Sequence, residues 1–129
     1  MWTNESIINP DIHKAFVYEI ENLITGELYI GKKNTFTRRR NPKTNRYEYK
    51  ESDWRTYQSS SNIVQAWTKI EKRIIQPCKT PAEANYIEIS LLFKLDALDD
   101  DSLYVNRNIA GRYYNYYPYK GTIQNDRPI

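Results

Sequence analysis

Residues 16–33 read FVYEIENLITGELYIGKK. Over 15–21 the side chains alternate, with Phe16, Tyr18 and Ile20 on one side and Val17, Glu19 and Glu21 on the other, the period of a strand. Asn22 and the pair Thr25-Gly26 supply turn chemistry, and Glu27–Gly31 reads as a second strand in which Leu28 and Ile30 oppose Tyr29 and Gly31. A hairpin follows. Each face of both strands mixes apolar and polar groups, which suits a small antiparallel sheet partly covered on both sides.

The rest of the chain bounds what this hairpin can belong to. Its 129 residues make one domain, 1–129, long enough for a real core. No apolar run approaches membrane-spanning length, and the opening MWTNESIINPDIHK lacks the basic-then-apolar pattern of a secretory signal. Cys78 is the one cysteine and His13 the one histidine. A lone thiol points to a reducing, cytoplasmic setting, and a His/Cys metal cluster is excluded by count.

The formal net charge of +3 hides an asymmetry. Residues 32–55 hold nine basic groups (Lys32, Lys33, Arg38, Arg39, Arg40, Lys43, Arg46, Lys50 and Arg55) against Glu48, Glu51 and Asp53, a surplus of six; the remainder has ten basic against thirteen acidic groups. Positive charge concentrated on a faintly acidic body is the footprint of a polyanion-binding protein. The plain alternative is a solvated loop whose charge only aids solubility.

Around the hairpin, residues 1–14 read as an irregular lead-in and 34–53 as a long basic loop with turn signals at Asn41-Pro42 and Asn45. A short helical piece is expected at Trp54–Tyr57. The serines at 59–61 offer N-caps to a helix carrying Ile63, Trp67 and Ile70 on one stripe. Lys72–Gln76 extends that helix or forms a third strand, with Pro77 ending it. Thr80-Pro81-Ala82-Glu83 combines a threonine cap, proline at the first helical position and glutamate at the third. Ala84, Ile87, Leu91, Leu95 and Leu98 then repeat at helical spacing until Asp99–Ser102. Tyr104-Val105-Asn106 re-enters the body. Residues 112–119, RYYNYYPY, open a tyrosine-rich tail (112–129) that wraps the sheet, contacts a second copy or stacks on bases.

Tyr29-Ile30-Gly31 paired with Phe16-Val17-Tyr18 resembles the opening hairpin of the GIY-YIG nucleases, with phenylalanine and valine where the first motif has glycine and isoleucine. The resemblance covers about residues 15–110. It implies an α+β domain with a small three-stranded antiparallel sheet flanked by helices. It also implies an endonuclease that cuts DNA, duplex or branched, with two tyrosines, an arginine and one metal-bound glutamate. Glu88, in the apolar helix after the last strand, falls where the family places its metal ligand, for Mg²⁺ or Mn²⁺. Asn106 matches the asparagine that braces the site. The YIGKK, ESDWRTY and SS segments, with the basic insertion between, resemble a phage-type branch, implying a protein of the host cytoplasm. The family's arginine, about eight residues past the YIG glycine, lands on Arg39; Arg55 and Lys33 are rivals. The histidine some members carry beyond it is absent, its place falling to Tyr57, Lys43 or nothing.

The residue types suit phosphodiester hydrolysis. Glu88 sits four residues after Ala84, at the edge of the apolar stripe, and a hard cation often takes only one or two protein carboxylates. The ordinary alternative is a flank glutamate paired with Lys94 or Arg73. A tyrosine near cations can have a lowered pKa, so Tyr18 would take or relay the proton from water while Tyr29 orients the network. An arginine with its planar fork grips two phosphate oxygens, and Lys32, Arg38, Arg40, Lys43, Arg46 and Lys50 hold the backbone. A catalytically silent nucleic-acid-binding protein on the same scaffold is the second reading, and an interaction protein the third. Dimerisation stays open as a source of site recognition.

Overall fold

The computed structural model describes residues 1–114. It is α+β, with strands β1 (Ala15–Asn22), β2 (Leu28–Asn34), β3 (Phe36–Arg40) and β4 (Tyr47–Glu51), helix α1 (Asn62–Gln65), strand β5 (Ile70–Cys78), helix α2 (Pro81–Lys94) and two short strands, β6 (Asn108–Ile109) and β7 (Tyr113–Tyr114). The main sheet is antiparallel in the order β2-β1-β5. β1 is central, so its alternation feeds two cores. Phe16, Tyr18 and Ile20 pack with Trp2, Trp54 and Val64 on one face. Ala15 and Val17 meet Ile30, Ala84 and Leu92 on the other, under α2. The β1–β2 turn is closed by Asn22, whose Oδ1 accepts from the backbone N–H of Ile24 at 2.9 Å, and by Gly26 at φ +80°, a conformation that glycine adopts without strain.

Both edges of this sheet are closed by the same device. The lead-in is not irregular: Trp2 bridges Lys72 in parallel, and Asn4 places its amide on Ile74, accepting from the backbone N–H at 2.9 Å and donating to the carbonyl at 2.8 Å. On the opposite edge Tyr104 bridges Leu28, and Asn106 accepts from Ile30 N–H at 3.1 Å and donates to Ile30 carbonyl at 2.8 Å. An asparagine amide carries one donor and one acceptor and so stands in for a peptide group. It ends the ladder without leaving an open edge.

Several expectations need correction. Residues 34–53 are not a loop: β3 and β4 pair antiparallel as a second hairpin, with Arg38 opposite Tyr49 and Arg40 opposite Tyr47. Trp54–Tyr57 is not helical: Trp54, Arg55 and Thr56 form a turn, tied by Thr56 N–H to Asp53 carbonyl at 3.1 Å. α1 has only four residues, and Val64, not the expected stripe, is its buried side chain. Ile70 already belongs to β5, which continues through Pro77. Proline is tolerated because β5 is an edge strand. A register shift opposite Val17/Tyr18 bulges β5 at Ile75. In α2 the cap is as read, Thr80 Oγ1 accepting from Glu83 N–H at 3.1 Å, but the helix stops at Lys94. Asp96 turns left-handed at φ 48°, and Asp96 N–H and Ala97 N–H donate back to Phe93 and Leu92 carbonyls. This closes the C-terminus without the usual glycine. Leu98 keeps the helical spacing by coincidence and returns to the core from the following turn. Tyr113 packs edge-on against Phe93, ring centroids 5.3 Å apart. The rest of the tyrosine-rich tail, 115–129, lies outside the described residues. No helix among the described residues is long and apolar enough to cross a membrane.

Asn106→Ala leaves two buried backbone groups of Ile30 without partners. The expected loss is about 2–6 kcal/mol, at roughly 1–3 kcal/mol per orphaned group, read as a lower urea midpoint with an unchanged slope. Asn4→Ala, at the less buried edge, should lose less.

Candidate active site

The site grows from the register of β1 on β2, which sets Tyr18 opposite Gly31. The Tyr18 ring lies across the glycine so closely that a Cβ there would collide with Tyr18 Oη, standing 2.6 Å from Cζ and 3.0 Å from Cε2 of Tyr29. Only glycine leaves room for the two tyrosines to converge, their rings 6.3 Å apart. Trp2 flanks Tyr18 at 5.2 Å and Tyr57 meets it edge-on at 6.2 Å. Tyr18 is buried to 1% exposure; Tyr29 and Tyr57 are half-buried.

Burial sets the protonation of both phenols. It pushes the pKa of Tyr18 well above the ordinary value, with smaller contributions from Tyr29, Tyr57 and Glu88; the Ser59 hydroxyl, within hydrogen-bonding reach, opposes the shift. Tyr29 is raised by burial first, opposed by Ser59, with Glu88 adding to the rise. The expectation of a lowered tyrosine pKa is therefore overturned: desolvation outweighs the serine hydroxyls that oppose it, and both groups are neutral phenols at physiological pH.

Glu88 stands on α2, half-buried. Its carboxyl pKa is raised, by burial first, with Lys32 pulling the other way. The ordinary pairing with Lys94 or Arg73 is not made: no salt bridge among the described residues involves Glu88. Arg73 is instead held by Glu19, Glu21 and Glu71 at 2.6–3.2 Å. Lys32 donates to Asn85 Oδ1 at 2.9 Å, one helical turn before Glu88 on the exposed side of α2.

The basic candidates separate. Lys33 reaches the tyrosine cluster, its Nζ 4.0 Å from the Tyr57 ring centroid and 2.8 Å from Asp53 Oδ1. Arg55 points elsewhere, stacked on Trp54 and paired with Glu5 at 3.3 Å and Glu51 at 3.6 Å. Arg39 is exposed on β3, and Lys43 and Arg46 lie in the exposed connection between β3 and β4. Arg40 bonds Asn45 across that connection. Asn106 braces Ile30 from behind, one residue from both Tyr29 and Gly31.

Sequence reading took Ser59 only for a helix cap. Ser59 is buried at 3% exposure with φ 119°, and its Oγ accepts from Ser61 N–H at 3.0 Å while its carbonyl accepts from Gln65 at 2.8 Å. Such a backbone in a serine is strained and is held by its surroundings; a serine run carries no signal for it. Lys72 was also missed. Its ammonium is buried over the Trp2 ring and donates to Tyr57 carbonyl at 2.7 Å, tying the segment that carries Tyr57 to β5.

A family model described as "Putative endonuclease segE, GIY-YIG domain" matches residues 2–116. No curated protein and no solved structure matches the chain.

Two outcomes follow from this geometry. Gly31→Ala should destabilise the fold by about 1–3 kcal/mol, the cost of overpacking, and displace Tyr18, visible as a changed near-ultraviolet circular dichroism. Glu88→Gln should do the reverse at neutral pH. A raised carboxyl pKa means the folded chain holds that proton more tightly than the unfolded one. Stability from this group is present below the ordinary carboxylate pKa and falls as pH rises through the folded value. Without divalent cations, the glutamine variant should melt higher than the wild type at about pH 8 and alike at about pH 4, near the reference carboxylate pKa; equal midpoints at both would remove the desolvation argument.

Proposed function

This chain belongs to the GIY-YIG domain family of segE-type endonucleases, and we propose that it hydrolyses DNA phosphodiester bonds with Mg²⁺ or Mn²⁺ held by Glu88. The family implies a nucleic-acid substrate and nuclease chemistry; the choice of DNA, the metal and the residue roles are our reading. The observation that carries it is the convergence of Tyr18 and Tyr29 over Gly31, with the unpaired, half-buried carboxylate of Glu88 in electrostatic reach of both.

The donor set fits a hard cation held loosely. Among the described residues no group of three or more His, Cys, Asp or Glu could cage a metal, so one carboxylate must share the ion with water and phosphate oxygens, a mode that Mg²⁺ accepts. When bound, the cation supplies neutralisation of the phosphate and of the leaving 3′ oxygen. The chain's own groups do the rest. Tyr29, the more accessible phenol, donates a hydrogen bond to the attacking water or a phosphate oxygen and holds it in line. Tyr18 is too buried to meet substrate, and it fixes Tyr29 and passes hydrogen-bond polarity to Ser59. Lys33, at the end of β2, holds a non-bridging oxygen as a point charge; Arg55 serves this role only after leaving Glu5 and Glu51. With both phenols neutral, the water's proton leaves to solvent or a phosphate oxygen instead of to a tyrosinate.

A silent nucleic-acid-binding protein is the second reading. It is favoured by one observation: Arg55 and Arg73 are tied to carboxylates, and no described arginine contacts the tyrosine pair. Supercoiled plasmid separates the two. We expect nicking with Mg²⁺ or Mn²⁺ and none with chelator. Glu88→Ala should abolish it while keeping DNA affinity. Tyr29→Phe should lower turnover by roughly a hundredfold or more, the scale of a positioned proton-handling group, and Lys33→Ala should lower it more than Arg55→Ala does. Salt-sensitive binding without any nicking would favour the silent protein, and metal-dependent nicking by Glu88→Ala would put the ligand elsewhere.

A further inference from the structure

A groove of about 1060 Å³ runs between the β3–β4 hairpin and the end of β2. Lys14, Lys32, Lys33 and Arg38 line it, no acidic residue does among the described residues, and Phe36 and Tyr49 supply its aromatic surface. Lys33 is common to this groove and to the tyrosine cluster, so one opens onto the other.

The hairpin face turned to the groove has a defined make-up. Arg38 and Tyr49 are direct cross-strand partners, as are Arg40 and Tyr47, so all four share one face. Arg38 lies over the Tyr47 ring at 3.6 Å, not over Tyr49. Tyr49 is left 69% exposed, with no ring partner among the described residues. A large exposed aromatic on an ordered strand, beside a cationic channel, is the arrangement that grips unpaired nucleotides: cations follow the backbone and a ring stacks on a base. A duplex keeps its bases stacked on one another and offers no face to Tyr49.

We propose that this groove binds a short run of single-stranded DNA next to the cleavage site, with a base stacked on Tyr49 and phosphates on Arg38, Lys14 and Lys32. This rests on the nuclease reading for its biological sense. It narrows the substrate to DNA with an unpaired segment beside the scissile bond, such as a flap, overhang or branch.

The test is equilibrium anisotropy of wild-type protein in chelator, so that nothing is cut. The probes are a fluorescein-labelled oligothymidylate of about a dozen nucleotides, within the usual site-size range, an oligouridylate and a duplex of the same length. The single-stranded DNA should bind more tightly than the duplex. Tyr49→Ala should weaken single-strand binding by about tenfold, the scale of one lost base stack, without changing the salt slope, and Tyr49→Trp should restore it. Arg38→Ala should flatten the log–log salt slope by about 0.7, one phosphate's share on a single strand. The proposal is overturned if Tyr49→Ala binds as wild type does, if it weakens duplex and single strand equally, or if the duplex or the oligouridylate binds more tightly than the oligothymidylate. Plasmid nicking by the same preparations separates the two failures. Nicking without Tyr49-dependent binding rejects the groove and keeps the nuclease; Tyr49-dependent binding without nicking does the opposite.

Discussion

The contact between the Tyr18 ring and the bare Cα of Gly31 constrains everything built around it. It requires β1 and β2 to pair in one register, because a slip of one residue would put Lys32 or Ile30 under the ring. It requires Asn106 behind β2, holding Ile30 from the other side so that the strand cannot yield. It also requires a wall around the ring, built by Trp2 from the lead-in, Phe16 from β1 and Tyr57 after the insertion. Phe16, where the motif has glycine, belongs to this wall: fully buried, it packs edge-on to Trp2 and Trp54. The degenerate half of the motif thus fills core volume, while the intact half keeps the space that the tyrosines need.

Charge is sorted along the same strands. Where β1 ends, Glu19 and Glu21 meet Arg73 and Glu71, and Tyr104 Oη donates to Glu19 at 3.0 Å. Where β1 begins, Lys14 and the Lys32-Lys33 end of β2 face the basic hairpin. The sheet therefore has an acidic, self-satisfied end and a cationic end, with the tyrosines between. Such a field orients an approaching polyanion before contact is made. Its two ends differ in kind as well as sign. Arg73 is saturated by carboxylates, whereas Arg38 has no carboxylate partner among the described residues.

The hairpin and the cap of α2 were legible because alternation, Gly26 and Thr80-Pro81-Ala82-Glu83 are local signals. The candidate cluster was legible only through the paired tripeptides; composition alone would have left Tyr18 and Tyr29 as strand residues. What escaped reading was non-local or lacked an apolar signal. β3 and β4 carry almost no buried side chains, so they show no hydrophobic period and read as a loop. Trp2 and Asn4 pair with an edge seventy residues on, a contact that no window contains. Asp96 ends α2 in a conformation usually marked by glycine, so the periodicity seemed to run on to Leu98. Ser59 folds into a strained turn that nothing in a run of serines announces.

That strained serine and the raised phenol pKa values belong together. A tyrosine sealed in an aromatic wall cannot shed its proton to solvent, and ionising it would place negative charge near Glu88 as well as in a low-dielectric site. The fold therefore favours neutral phenols as strongly as it favours the packing that fixes them. In the hydrolysis we propose, neutral phenols act as donors whose direction is set by rigid rings. Ser59, forced to φ 119° by the bonds from Ser61 and Gln65, supplies the polar neighbour that lets a buried hydroxyl keep a partner. A substrate phosphate arriving at Lys33 would add the last negative charge to a cluster already short of solvent. The phenols cannot supply the countercharge, and Glu88, half-buried and in no salt bridge among the described residues, adds negative charge to the same cluster.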